Sequence, residues 1–243
     1  MALEIIPIKI DKEIEPVDDI VQLMTLSESD LQDGDIVIFT QKIISKQEGQ
    51  IVNLSNVKPS LLATGIASEY GKDPRIIQLI LDESKRLVRL NNGIIISETI
   101  HGFVCANAGV DESNVKEGYA TLLPKDPNKS AEILRNKIKE KTSKDVAVII
   151  SDTFGRPFRY GQTNIAIGFS GISPIANYVG TKDNFGRVLR VTEIAAVDEI
   201  CSAAELVMKK SLHIPMVIVR NYDFDNRNSI NDLNRKKSED LFR

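Results

Sequence analysis

The chain has 243 residues, 42% hydrophobic and 27% charged, ordinary proportions for a globular protein with a proper core, as one large domain or two small ones. Lys plus Arg total 31 against 34 Asp plus Glu, a formal charge of −3. A general nucleic-acid binder would be basic, so that class is set aside.

In chain order, Leu3 to Ile10 reads as an opening strand that Pro7 places at a sheet edge. Val17 to Leu26 reads as a short helix with Asp18 and Asp19 in its first turn. Asp33-Gly34-Asp35 is a turn, and Ile36 to Phe39 behind it a buried strand. Pro59 opens a helix to about Tyr70. Asp73-Pro74 opens another, with Ile76, Ile77 and Ile80 on one face. Asn91-Asn92-Gly93 is a turn before Ile94 to Ile96, with Phe103 to Cys105 as the partner strand. A helix is expected from Ala131 to Lys141, a buried strand from Val146 to Ile150, and weak periodicity from Ser151 to Gly186. Thr192 to Lys209 places Ile194, Val197, Ile200, Cys201, Ala204 and Val207 at helical spacing, with Asp198 and Glu199 on a solvated face. Met216 to Val219 is the last strand, and the tail from Asn221 is polar loop. Strands and helices alternate irregularly, which points to α+β rather than a doubly wound sheet. With no linker visible, a second domain is expected as an insertion, residues 91–189, in a main α+β domain of 1–90 plus 190–243.

His101 and His213 are the only histidines and lie far apart, which excludes a His-rich zinc centre. Cys105 and Cys201 have no CxxC spacing and read as small buried hydrophobes in a reduced setting. The first residues lack the regions of a signal peptide, and no apolar run approaches the ~20 residues that span a bilayer. A cytoplasmic protein without a membrane partner is expected.

The fourteen glycines never form GxGxxG or GxxxxGK[ST], so the usual nucleotide loops are missing. Thr40 to Gly49 follows a buried strand and carries Lys42 and Lys46 four apart, with amides and hydroxyls that suit phosphate oxygens. The plainer reading is a solvated basic helix face. Asp111 and Asn114 lie three apart at the end of a strand. On one helical turn they offer a carboxylate and a carboxamide to Mg²⁺ or Mn²⁺, or they simply cap a helix. The strongest local signal is Val146 to Arg159. A hydrophobic strand delivers Asp152 and Thr153 to its end, where carboxylate and hydroxyl suit a hard cation, and Arg156 and Arg159 suit an anion. An Asx turn at Asp152 is the bland alternative.

Together these segments closely resemble one family, the coenzyme F420-0:L-glutamate ligases, also called coenzyme F420 γ-glutamyl ligases. The stretches are Gln41-Lys-Ile-Ile-Ser-Lys-Gln-Glu-Gly49, Asn107-Ala-Gly-Val-Asp-Glu-Ser-Asn114, Leu122-Leu-Pro-Lys-Asp-Pro127, Ser151-Asp-Thr-Phe-Gly-Arg156 and Ala166-Ile-Gly-Phe-Ser-Gly171. Asp183-Asn-Phe-Gly-Arg187, Asp198-Glu-Ile200 and Ser238-Glu-Asp-Leu-Phe-Arg243 continue them in the family's order.

The resemblance implies a homodimer of a two-domain α+β fold with mixed sheets. It implies a GTP-dependent ligase that adds L-glutamate to the deazaflavin coenzyme F420-0, and to F420-1, through a γ-linked amide. Its cofactors would be a divalent metal, Mn²⁺ or Mg²⁺, together with K⁺, and GTP would serve as co-substrate. Asp111 and Asp152 correspond to ligands of a first metal and Thr153 to a ligand of a second, while Arg156 is read from its own position as a substrate or phosphate contact. Gln41, Lys42, Lys46 and Asn114 correspond to GTP contacts, as do Asp11, Lys12, Glu13 and Ile14 in an N-terminal segment. After the long helix, the family's Gly-containing loop is replaced by Met208-Lys209-Lys210-Ser211. Lys stands there in place of a carboxylate, so Lys209 and Lys210 are read as direct phosphate contacts. The expected route passes through an acyl phosphate, and no residue stands out as the general base. An amide ligase with another acceptor and a non-catalytic ligand-binding paralogue are the competing readings. Lys209-Lys210 favours the paralogue, and the intact run Ser151 to Arg156 opposes it.

Overall fold

A computed structural model describes residues 1–27, 30–226 and 233–240. The end of the Ser238–Arg243 motif therefore lies outside the described residues. The chain opens with β1 (Glu4–Ile8), α1 (Ile20–Leu26), β2 (Ile36–Thr40), α2 (Gln41–Gln47) and β3 (Ile51–Asn53). It continues through α3 (Leu61–Tyr70), α4 (Pro74–Asp82), β4 (Ser84–Asn91), β5 (Ile94–Thr99), β6 (Val104–Ala106) and β7 (Tyr119–Thr121). The remainder is α5 (Pro127–Thr142), β8 (Ala147–Gly155), β9 (Gln162–Ser170), β10 (Ala176–Asn177), β11 (Glu193–Ile194), α6 (Ala196–Met208) and β12 (Met216–Arg220). Helices and mixed sheets together make an α+β protein, as expected.

The central sheet runs β1-β12-β2-β8-β9. Only the β2–β8 pair is parallel. Both faces of this sheet are covered, which is why its middle strands read as unbroken apolar runs. Val37, Phe39, Val148 and Ile150 face the core shared with α1, α2 and α5, while Ile36, Ile38, Ala147 and Ile149 face α6. A third core, from Leu54 to Ala120, packs α3 and α4 against β5. Two small sheets, β3-β7 and β4-β5-β6, complete that region. The central sheet thus joins β2, from the segment 1–90, to β8 and β9, from the segment 91–189.

Local chemistry explains most boundaries. Asp73 caps α4 with its carboxylate on the Arg75 amide, and Pro74 takes the first helical position. The same device starts α5 at Pro127, capped by Asp126, four residues earlier than expected from apolar spacing alone. Ser60, not Pro59, caps α3. Asp19 is the cap of α1 rather than a first-turn residue. Asn92 and Gly93 both take positive φ (50° and 73°), the geometry of a two-residue hairpin turn, which pairs β5 with the charged strand β4. The stretch from Ser151, expected to be irregular, instead continues β8 and returns as β9, with a register shift between Ile150 and Ser151. Gly168 in β9 is obligatory: a Cβ there would lie 2.4 Å from the Pro127 backbone.

Candidate functional site

Three segments meet at the C-terminal end of the parallel strand pair. Thr40, the last residue of β2, pairs with Ser151 of β8, so α2 begins beside Asp152. The third segment arrives through Asn107, Ala108 and Gly109, all left-handed (φ 55°, 52° and 75°), a turn that redirects the chain after β6. Asp111 then forms an isolated bridge to Thr121, with backbone bonds of 3.1 and 2.8 Å. No helix forms here, so Asp111 and Asn114 neither share a helical turn nor cap one. Instead Asp111 Oδ1 accepts the Ser113 amide at 2.8 Å.

Lys42 Nζ donates to Asp111 Oδ2 at 2.6 Å, to the Ser113 carbonyl at 2.7 Å and to Ser113 Oγ at 2.6 Å. One turn on, Lys46 Nζ donates to the Asn114 carbonyl at 2.7 Å and to Glu13 Oε1. The Lys46 side chain is only 6% exposed and that of Lys42 only 18%, so this is not a solvated helix face. Glu13 ties the N-terminal segment to the site. Its neighbours are directed elsewhere: Asp11 pairs with Lys9, Lys12 with Asp18, and Ile14 is buried in the core. Gln41 is buried, its amide spent on Ser45 Oγ and the Leu122 carbonyl.

The two carboxylates differ. Burial pushes the Asp111 carboxyl up, but the Lys42 ammonium with the Ser113 amide and hydroxyl outweighs it and holds the group below the usual value. Asp152 is pushed up to about 6, chiefly by burial and further by the Asp111 charge, against the Thr153 amide and the lysines Lys42 and Lys210. An under-compensated carboxylate facing a second one is a site of unmet negative charge. Asn107 Oδ1, in the turn that leads to Asp111, is also buried without a partner among the described residues. A hard cation of the Mg²⁺ class needs one or two carboxylates plus oxygens from substrate phosphate and water, and this donor set fits it. Among the described residues no three His, Cys, Asp or Glu side chains converge.

Beyond Asp152 lies a closed polar ring. Lys210 Nζ donates to Thr153 Oγ1 at 2.7 Å and lies 3.1 Å from Glu205 Oε1. Thr153 Oγ1 donates to Asn164 Oδ1 at 2.7 Å, and Asn164 Nδ2 donates to Glu205 Oε2 at 3.0 Å. Lys210 therefore joins the site, whereas its neighbour Lys209 is exposed at the end of α6. Arg156 is exposed and closes the β8–β9 turn through the Tyr160 and Gly161 carbonyls, a local role rather than one among the lysines.

Ser113, Asn164 and Glu205 were not singled out from sequence. Glu205, a carboxylate on a largely apolar helix near Lys210, was a usable signal, while Asn164 needs the hairpin register opposite Thr153. Asp198, expected on a solvated face, instead accepts the Ala166 amide at 2.9 Å, and burial raises its carboxyl. Tertiary packing of α6 against β9 overrides its helical position. Glu199 is exposed as expected. Burial raises both thiols, Cys105 to about 12 with the Asp152 charge adding to it, which suits inert core residues.

Carboxylates and lysines gathered at strand ends have the chemistry to bind a cation and anionic groups side by side. The family model of F420-0:gamma-glutamyl ligase matches residues 8–221. A coenzyme F420:L-glutamate ligase of Methanothermobacter thermautotrophicus is 47% identical over 218 residues, 88% of this chain and 86% of the relative. One from Methanocaldococcus jannaschii is 48% identical over 216 residues, 88% and 86% of the two chains. One from Methanopyrus kandleri is 40% identical over 248 residues, 100% and 98%. The chain belongs to the F420-0:gamma-glutamyl ligase family.

Proposed function

We propose that this chain is a ligase that adds L-glutamate to coenzyme F420-0, and to F420-1, through a γ-linked amide, using GTP and a divalent metal, Mn²⁺ or Mg²⁺. The observation that carries the reading is the pair Asp111 and Asp152, from separate elements, under the cations Lys42, Lys46 and Lys210. The names of the relatives support the acceptor and the amino acid.

A free carboxylate is a poor electrophile, so the acceptor carboxyl takes the γ-phosphoryl group of GTP, and the glutamate amine displaces phosphate from the acyl phosphate. Phosphoryl transfer needs positioning and charge neutralisation more than covalent help. Lys210 meets phosphate oxygens as a point charge, and Lys42, whose three donors are held by Asp111 and Ser113, adds positive charge beside them. Lys46 is anchored on both sides and fixes the segments of Glu13 and Asn114 around the nucleotide. Asp111 and Asp152, with the Asn107 side-chain Oδ1, would hold the metal, which when bound neutralises phosphate charge. The Thr153 hydroxyl, bonded to Lys210, is oriented by Asn164. The active unit is a homodimer. Phe158 and Tyr160 on the β8–β9 turn and Phe185 and Val191 beyond it are exposed apolar groups that support a self-association surface. Light scattering at about 27 kDa across micromolar concentrations would refute the dimer.

The decisive test is mass spectrometry of product from purified protein with the deazaflavin acceptor, glutamate, GTP and Mn²⁺. An added glutamate dependent on GTP is the expected result. No mass gain in any combination of nucleotide and metal overturns the reading.

A further inference from the structure

A cavity of about 430 Å³ lies between the β5–β6 turn, the first turn of α5 and strand β9, within the size range of small-molecule sites. His101 and Phe103 form one wall, their rings stacked at 5.8 Å and 19°. Ile100, Ile167 and Phe169 supply further apolar lining. His101 Nε2 lies 3.2 Å from the Lys125 carbonyl. A carbonyl only accepts, so the proton belongs on Nε2 and the lone pair of the neutral ring on Nδ1. That Nδ1 is buried and has no partner among the described residues.

The cavity is close to the phosphate-handling cluster. Phe103 meets Phe154 edge-on at 6.2 Å. Phe154 follows Asp152 by two residues on β8, about 6.6 Å along a strand. The aromatic wall and the carboxylates are thus on the order of 10 Å apart.

We propose that this cavity holds the planar heteroaromatic end of the acceptor, while its carboxylate end reaches Lys42, Asp111 and Asp152; the assignment rests on the ligase reading above. Three aromatic rings favour a flat partner. Free glutamate fits the cavity poorly. Its two carboxylates call for several cations, and among the described residues the lining supplies one lysine, Lys125, beside the Asp126 carboxylate that caps α5.

The test uses two variants in the full chain, His101→Ala and Ile100→Trp. Ile100 is 58% exposed, so the Trp narrows the cavity without entering the core, and it carries the test if His101→Ala fails to fold. Both variants should raise the acceptor KM about tenfold or more, a loss of roughly 1.4 kcal/mol of binding, with KM for GTP and kcat unchanged. An unchanged acceptor KM in folded Ile100→Trp overturns the cavity assignment while the ligase reading stands. Fluorescence titration of the deazaflavin acceptor, without GTP or glutamate, separates the two failures. A parent that binds it and variants that bind it weakly support the cavity even if no amide forms, and a parent that does not bind it overturns the cavity.

Discussion

Asp35 stands just before β2, and Asp152 near the far end of β8, which runs parallel beside it. Two carboxylates thus mark opposite ends of one strand pair. Asp35 is 1% exposed and gripped by Arg220 through two bonds of 2.9 and 2.8 Å, while its Oδ2 also accepts the Gln32 amide. This fork fills the carboxylate's bonding capacity and shuts out other ligands. Asp152 accepts the Thr153 amide, is left under-compensated at about 6, and faces a second carboxylate. The first pair closes the fold upon itself. The second leaves capacity open, which is what a binding site must do.

The largest expected effect breaks the open end. Asp152→Asn keeps shape and removes charge, so ligation should fall on the order of a thousandfold, about 4 kcal/mol of transition-state stabilisation. Near-parental turnover would remove Asp152 from the machinery. The same variant should gain stability without metal. With a folded pKa raised to about 6 from 3.8, the folded chain holds a proton there that the unfolded chain has lost. Metal-free parent stability therefore falls as pH rises from about 4 to 6, by up to about 3 kcal/mol. Asp152→Asn should flatten that fall. Chemical denaturation from pH 4 to 8 in chelator checks the sign.

The closed end should fail in the other direction. Asp35→Ala leaves the Arg220 guanidinium poorly paired in a nearly dry place, and such breaks cost about 3 kcal/mol or more. For a chain of this size the melting temperature should drop by about 6 °C or more. Activity per folded molecule below the transition should remain. A variant that melts normally but loses activity would reverse the contrast.

How much of this contrast was legible depended on range. The strand that ends in Asp152 was visible because Val146 to Ile150 is an unbroken apolar run, and the cap at Asp73-Pro74 because it is local. Lys42 and Lys46 were found by spacing, but that both are sheltered and tied to Asp111 and Asn114 depends on contacts 68 to 71 residues away. The Asp35–Arg220 fork, across 185 residues, left no mark in the sequence beyond a turn. Strand β4 was hidden by its charged residues Lys85, Arg86 and Arg89, of which Arg86 is half-buried against Glu98. Asp198 was misread because helical spacing says which face a residue takes, not what packs over it.

A smaller effect sharpens the open site. Lys210 is largely exposed, with a side chain 64% accessible, so its charge should be worth at most about 1 kcal/mol. Lys210→Glu places a carboxylate beside Glu205 and takes the donor from Thr153. Metal-free GTP binding should weaken by less than about tenfold, and activity should depend more steeply on metal. The difference should shrink in high salt, which screens exposed charges. Titration calorimetry with and without chelator decides it. Equal metal-free GTP affinity in parent and variant would leave Lys210 a solvated charge.

The smallest effect concerns a buried carboxylate that belongs to neither end. Asp198 accepts the Ala166 amide, and burial raises its carboxyl above the usual value. A raised folded pKa means that the folded chain resists this charge, so ionised Asp198 weakens the fold at neutral pH. The amide of Asn offers the same accepting oxygen without the charge. Asp198→Asn should therefore raise the melting temperature at pH 7 by a few degrees at most, about 2–4 °C for each kcal/mol recovered. The sign fixes the pH window. The gain should be full above the raised folded value and should vanish as pH falls below the ordinary carboxylate range near 4, where the parent is neutral in both states. Glutamate transfer should be unaffected, because the bond orients β9 and not substrate. Calorimetric melts of both proteins at pH 7 and below pH 4 test it. A variant that melts lower at pH 7 would mean that the charge strengthens the Ala166 bond by more than its burial costs, and Asp198 would then join Asp35 as a carboxylate that holds the fold.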